Sequence, residues 1–429
     1  MSIEKDYDIL VVGAGIAGEE SALKLADMGY NVLLVEKEPS IGGKMILLSK
    51  VFPTLDCAAC ITTPKVSETA RHPNITILTL TEPEEIIRNN GRFDITLKKK
   101  PRYVIENDCT GCQECEKVCP VVTRDQFQFN LVARKAVHIP FSIANPRIAL
   151  VDIENCMLCG ACEKACPSSA IDFSQEEERI RVNVKTVVLA TGFKLFDPIS
   201  IERYGYGKYK NVITSMQMER LLAPTRPFNN ILRPSDGKMP DKIAYIFCTG
   251  SRDHTVGNPI CSQVCCMYST KQAQLLMGAL PMADVSLYYI NIRAFGKGYN
   301  EFYLQAKDMG AKYVKGKIGS IAEKGNGNLI LRYEDIATGQ VTESEHDLVV
   351  LSVGLLANPE ISKAFKNEKL SLDALNYIEQ TDILISPART SIEGVFVAGT
   401  ASAPMDIPDS IMSAGAAASE TSSYLKSLS

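Results

Sequence analysis

Residues 8–36 read DILVVGAGIAGEESALKLADMGYNVLLVE. The apolar run at 8–12 (DILVV) predicts a buried strand. Gly13-x-Gly15-x-x-Gly18 then turns tightly into a helix that runs to about Met28 and stops at Gly29, where a C′ glycine belongs. A second strand, Asn31 to Val35, ends in Glu36. The stretch from Tyr7 to Glu36 is therefore read as a βαβ unit. In such a unit the glycines let the backbone approach a pyrophosphate at the positive end of the helix. The acid about 20 residues along accepts hydrogen bonds from a ribose. A bare GxGxxG is weak evidence. Here strand, helix, second strand and acidic end all stand in order, and they specify a dinucleotide site. Gly13, Gly15, Gly18, Glu36 and the adjacent Lys37 are its expected contacts.

Three further segments favour FAD over NAD. Gly42 and Gly43 follow the acidic strand closely, as in two-dinucleotide flavoproteins. Val187 to Gly192 (VVLATG) resembles the strand that returns to an FAD domain, with Thr191 and Gly192 at its end. Gly394 to Thr400 (GVFVAGT) resembles the C-terminal strand that meets the ribityl chain. Many such strands end in Gly-Asp, whereas this one ends in Gly399-Thr400. Asp406 or Asp409 is read either as a substitute for that acid or as a helix cap in a solvated turn.

Moving outward, eight of the fourteen cysteines fall into two copies of one spacing. Cys109, Cys112, Cys115 and Cys119 precede Pro120; Cys156, Cys159, Cys162 and Cys166 precede Pro167. C-x2-C-x2-C-x3-C-P is the run that holds [4Fe–4S] clusters in bacterial ferredoxins, with the fourth cysteine ligating the other cluster. Cys109, Cys112, Cys115 and Cys166 are expected at one cluster; Cys156, Cys159, Cys162 and Cys119 at the other. Zinc sites rarely carry this spacing and proline twice over. Alternating stretches at Phe93–Leu97 and Arg179–Val184 predict neighbouring strands of a small meander, from which residues 100–178 emerge as an inserted ferredoxin-like domain. Its intervening segment, with Phe127, Phe129 and Phe141, is longer than a bare ferredoxin needs; core packing and partner docking both explain it.

A second Rossmann-like domain is expected over 239–355. Its strand Lys242–Phe247 is followed by Cys248-Thr249-Gly250-Ser251, not by a glycine fingerprint. That argues against an NAD(P)H site. Cys248, Cys261, Cys265 and Cys266 are four soft ligands in a short stretch, with Cys261 and Cys265 expected on one helix face at i, i+4. Two readings stand: a third cluster, or buried free thiols. The FAD domain is divided into 1–99, 179–238 and 356–429. The fold class is α/β, a two-dinucleotide-binding flavoprotein (thioredoxin reductase-like) with an inserted α+β 2[4Fe–4S] domain.

Length and composition are compatible with this. At 429 residues the chain has room for two or three domains. A net charge of −4 makes no electrostatic case for nucleic acid or an anionic membrane. No apolar run spans a bilayer. The N-terminal residues lead straight into a strand without a signal-peptide core. Cysteine richness with cluster motifs points to a reducing cytoplasm.

By its motifs the chain resembles the A-type component of heterodisulfide reductase, which carries FAD and iron–sulfur clusters in methanogens. The resemblance rests on GAGIAG at 13–18, IGGKM at 41–45, FPTLDCAAC at 52–60, both ferredoxin runs, CTGSRD at 248–253, CSQVCCMYSTK at 261–271 and IRAFGKGYNEFY at 292–303. It implies a third cluster at Cys248, Cys261, Cys265 and Cys266, and a lysine, Lys271, near the isoalloxazine; a surface lysine is the plain alternative. It implies electron transfer between flavin and clusters, with bifurcation or confurcation through ferredoxin. The partners implied are B-like and C-like heterodisulfide reductase proteins, hydrogenase- or dehydrogenase-type input subunits and ferredoxin, around a homodimeric core. Longer members carry further cluster domains, so this chain reads as a short form. Cys57 and Cys60 form a C-x-x-C that is read as a redox disulfide, as partial ligation of a cluster completed elsewhere, or as two reduced thiols. Rival functions are a stand-alone ferredoxin-dependent disulfide or sulfur reductase using Cys57 and Cys60, and a noncatalytic electron-wiring scaffold.

Overall fold

The computed structural model describes residues 7–428, so the expectation placed on residues 1–6 lies outside it. The chain divides into two compact units, residues 1–46, 61–193 and 357–429 in one, and 47–60 and 194–356 in the other.

The first unit is built on a five-stranded parallel sheet in the order Val395–Val397, Thr186–Leu189, Ile9–Val12, Val32–Val35, Ile75–Leu78. Its central strands are buried along their whole length. Successive side chains leave a strand on opposite faces, and here each face meets its own core. Leu10, Val12, Leu33, Val35, Val187 and Leu189 point into one core. There they meet Phe93, Ile95, Leu97, Ile180 and Val182 from a three-stranded antiparallel sheet. Ile9, Val11, Val32, Leu34 and Val188 point into the other. That face is covered by the helices Ile16–Asp27 and Ile407–Ser427, whose Ala17, Ala22, Ala414, Ala417 and Ala418 allow close approach. Strands covered on both sides are continuous apolar runs in sequence, which is why VVLA and ILVV are legible. Each buried leucine there is worth about 2–5 kcal/mol against alanine.

In the antiparallel sheet Phe93 faces Val184 and Leu97 faces Ile180. The inserted segment leaves between these strands. Its two cysteine runs fold alike. Each carries a five-residue helix, Glu114–Val118 and Ala161–Ala165, entered through a left-handed residue (Gln113, φ 65°; Gly160, φ 71°) and left through an extended cysteine (Cys119, Cys166). Phe127 stacks on Phe141 at 4.7 Å, and Phe141 packs against the insert's core.

The second unit holds a seven-stranded sheet. Val212–Thr214, Leu348–Val353, Lys242–Thr249, Asp284–Tyr289 and Lys312–Glu323 run parallel in that order, and the hairpin strands Leu329–Asp335 and Gln340–His346 complete it. Two boundaries differ from expectation. Residues 194–238 are expected in the FAD domain, but Val212–Thr214 pairs with Leu348–Val353 and starts a capped helix, Ser215–Leu222, inside this unit. Residues 47–60 also join it, because Ser49 and Leu47 are bonded to Glu219 and Arg220 of that helix. The helix expected through Cys261 differs too. It spans Cys265–Ala279, and Cys261 lies before it. Gln263 is left-handed (φ 61°), which a continuous right-handed helix does not allow.

Candidate functional site

The glycine loop of the first unit is packed to backbone contact. A Cβ on Gly13 would stand 2.4 Å from the Ala190 carbonyl, and one on Gly18 would stand 1.8 Å from the Gly13 carbonyl. A Cβ on Gly43 (φ 56°) would meet Gly15 Cα at 2.6 Å. The helix behind this loop starts at Gly15 with no side-chain cap, so its first N–H groups stay free for an anion. Glu36 directly follows the strand Val32–Val35, its carboxylate accepting from Ala14 N at 2.7 Å and Glu38 N at 3.0 Å. Burial pushes its pKa up. At the other strand ends, Thr191 Oγ1 and Asn358 Oδ1 are buried without a partner, while Asn358 Nδ2 donates to Thr191 O at 3.2 Å. Gly399 N donates to Ser413 Oγ at 3.0 Å, and Thr400 Oγ1 lies opposite Gly192. Asp406 accepts from Asp409 N at 2.9 Å and caps the last helix. These features fit a dinucleotide: a side-chain-free cradle, free helix amides, an acid at the strand end and unpaired polar atoms.

The insert is fastened to this cradle within the same unit. Ile41 N donates to Asn145 O at 3.0 Å and Asn145 N to Ser40 Oγ at 2.8 Å, just before Gly42 and Gly43. Arg102, almost fully buried, donates to Pro39 O and Thr79 Oγ1. Cys109, Cys112, Cys115 and Cys166 line one cavity. Burial pushes the Cys115 thiol up to about 11. Cys166 is held below the ordinary thiol value: burial opposes this, but the Ala170 amide at 3.3 Å and Ser168 outweigh it. In the other group Cys162 feels Cys156 and Cys119 as its neighbouring thiols. The cross-over of fourth cysteines therefore matches the spacing rule for paired cubanes. Among the described residues no three such side chains close on a single metal ion; four thiols around a cavity fit a cluster.

In the second unit Cys248, next to last in its strand, has φ 57°, and Cys265 and Cys266 open the helix Cys265–Ala279. Cys265 is raised above the usual thiol range by burial first and then by Cys248, Cys266 and Cys261, so the four sulfurs share one neighbourhood. Burial takes Cys266 to about 12. Gln263 N donates to the Cys261 sulfur at 3.3 Å. The turn after Cys248 is occupied by protein: a Cβ on Gly250 would lie 2.0 Å from the Phe196 ring. Lys271, read with a surface alternative, is buried. Its ammonium pairs with Glu219 and donates to Lys50 O at 2.9 Å. Glu219 also accepts from Gln272 Nε2 at 2.6 Å and from Ser49 N and Oγ at 2.8 and 2.6 Å. Burial pushes Glu219 up, but Lys271 and these donors outweigh it and leave the carboxyl ionised. Cys57 and Cys60 are free thiols, with Cys60 N 3.3 Å from Cys57 Sγ.

Comparison with known proteins finds relatives over nearly the whole chain. The chain is 44% identical over 98% of its length to the A-type iron–sulfur component of CoB–CoM heterodisulfide reductase from Methanocaldococcus jannaschii. It is 41% identical over 97% of its length to the A-type component of the H2:CoB–CoM heterodisulfide,ferredoxin reductase from Methanothermobacter thermautotrophicus. The chain is a homologue of the A-type component of heterodisulfide reductase. It spans 64% and 63% of those two relatives. A 4Fe-4S dicluster domain model matches residues 108–171, and an FAD dependent oxidoreductase model matches residues 8–53. Thioredoxin reductases of T. acidophilum (TM-score 0.57, 16% identity, 99% of this chain and all of that one) and Lactococcus lactis (0.56, 13%, 98% and all) share the fold. No helix among the described residues is long and apolar enough to cross a membrane.

Two residues of this heterodisulfide reductase homologue escaped the sequence reading. Glu19, in the first turn behind the glycine loop, is fully buried with neither oxygen hydrogen-bonded. Burial, aided by Glu36 and opposed by Lys65, raises it to about 8. Lys44, next to Gly43, lies 4.8 Å over the Phe193 ring, and burial lowers its pKa. For the first, the visible signal was its place directly after Gly18 of the glycine fingerprint. The second had none beyond its place beside the glycine pair.

Proposed function

We propose that this chain is an FAD- and iron–sulfur-containing electron-transfer subunit, with oxidoreductase function, of a heterodisulfide reductase-like complex. The observation that carries the proposal is the fastening of a two-cluster insert to the flavin cradle through Ser40, Ile41 and Asn145. When bound, FAD exchanges electrons in pairs or singly, and the clusters take them one at a time. Gly13, Gly15, Gly18 and Gly43 would cradle the pyrophosphate, Glu36 with Lys37 would meet the adenosine ribose, and Thr191, Gly192, Gly399 and Thr400 would line the flavin end. Gly42 would shape the loop. The eight ferredoxin-type cysteines would hold two [4Fe–4S] clusters, and Cys248, Cys261, Cys265 and Cys266 a third. Lys271 would act through its ion pair with Glu219, positioning the segment at Lys50. Bifurcation or confurcation would split an electron pair between, or gather it from, two one-electron branches, one of them ferredoxin.

The partners proposed are B-like and C-like heterodisulfide reductase proteins, electron-input subunits of hydrogenase or dehydrogenase type, and ferredoxin, around a homodimeric core. The names of the relatives support this reading, one of them being the A-type component of a ferredoxin/F420H2-dependent CoB–CoM heterodisulfide reductase. The placement of Phe196 against Gly250 supports the lack of an NAD(P)H site. A second reading, reduction of a disulfide at Cys57 and Cys60, is supported by the proximity of those free thiols. Anaerobic stopped-flow tests the main reading: reduced ferredoxin bleaches the bound flavin and NADPH does not. NADPH oxidation by the isolated chain would overturn it.

A further inference from the structure

Resting on the third-cluster reading, we infer that Arg252 sets the reduction potential of the cluster held by Cys248, Cys261, Cys265 and Cys266, raising it above what those thiolates alone would give. A four-thiolate cubane gains one negative charge on reduction. Burial disfavours that charge, whereas fixed cations and hydrogen bonds to sulfur favour it. Cys265 and Cys266 are buried, so an opposing positive field would be the main counterweight.

That field is built into the second unit. Arg252 is four residues past Cys248 and is itself left-handed (φ 55°). Its backbone is tied to Ile260 O at 2.8 Å, and its guanidinium donates to Asn291 Oδ1. The carbonyl of the same Asn291 lies 3.9 Å from Cys266 Sγ. Arg252 and Cys248 line one cavity with Asp253 and Lys317. The acid there does not neutralise Arg252, because Asp253 is paired with Arg203 at 3.7 Å and Lys317 at 3.9 Å. Arg252 has no carboxylate partner among the described residues. It is a held cation without an anion, lining a cavity with Cys248 and bonded to the residue whose carbonyl faces Cys266, where a cluster would supply negative charge. The insert differs: its ligand-bearing helices mix Glu114, Glu116 and Glu163 with Lys117 and Lys164.

The test is an anaerobic EPR-monitored redox titration of the full chain, with iron analysis, for wild type, Arg252→Gln and Arg252→Lys. The expected result is that one cluster signal moves to lower potential in Arg252→Gln. It stays near wild type in Arg252→Lys, and the two ferredoxin-type signals do not move. A third cluster with unmoved potential in Arg252→Gln overturns the inference alone. So does loss of that cluster in Arg252→Gln, which makes Arg252 a scaffold residue. Iron for the insert's pair only, in wild type, removes the cluster assignment itself.

Discussion

Glu19 illustrates what one side chain can disclose. Its folded pKa of about 8 lies above the ordinary 4.5, so the native state holds a proton that the unfolded chain releases. Stability therefore falls as pH rises from 4.5 to 8 and is flat beyond. Glu19→Gln should match wild type at pH 4 and exceed it by about 1–3 kcal/mol at pH 8.5. Paired melting curves at the two pH values measure this; an equal gain at both would contradict the buried neutral acid. The Lys271–Glu219 pair is the opposite case. Both side chains are 2% exposed, so Lys271→Met leaves a buried carboxylate unpaired and should cost about 3–5 kcal/mol. Urea unfolding of the flavin-loaded protein gives that number, and a loss under about 1 kcal/mol would show the pair to be dispensable. Sequence placed Lys271 only by resemblance. Its partner Glu219 carries no motif, and the contact joins positions 52 residues apart, which spacing does not reveal.

Local elements followed sequence closely wherever backbone need and residue type coincide. The two cysteine runs each use left-handed residues two and four positions past the first cysteine: Gly111 and Gln113, then Leu158 and Gly160. Each copy places its glycine at a different one of the two. A Cβ on Gly111 would lie 2.7 Å from the Arg147 carbonyl, so Gly111→Ala should displace that loop and lower iron retention at the Cys109, Cys112, Cys115, Cys166 cluster. Leu158→Gly removes about 1 kcal/mol of left-handed strain and should leave cluster content unchanged. Iron analysis with EPR of each variant separates the two outcomes; equal loss in both would contradict the assignment of strain. The expected helix through Cys261 failed for the same class of reason. A left-handed Gln263 interrupts it, and glutamine gives no signal of such a turn.

At the scale of the molecule, the sequence contained the parallel sheet, the meander and the insert, because each is a run of buried or alternating residues. It hid the return of residues 194–238 to the second unit. That assignment depends on one three-residue strand, Val212–Thr214, whose partner lies more than 130 positions on. The cross-ligated pair makes a molecule-wide prediction. Cys166→Ser should impair the cluster of the first run and Cys119→Ser that of the second. Redox-titrated EPR of both variants would refute cross-over if each instead disturbed its own run.

The central claim is one chain carrying a flavin and the clusters to discharge it. Anaerobic quantitation of flavin, iron and sulfide, with EPR of the reduced protein, tests it most directly. The account predicts one FAD and about twelve irons with matching sulfide. About eight irons would leave the Cys248–Cys266 site as core thiols, and protein that retains no flavin would contradict the account.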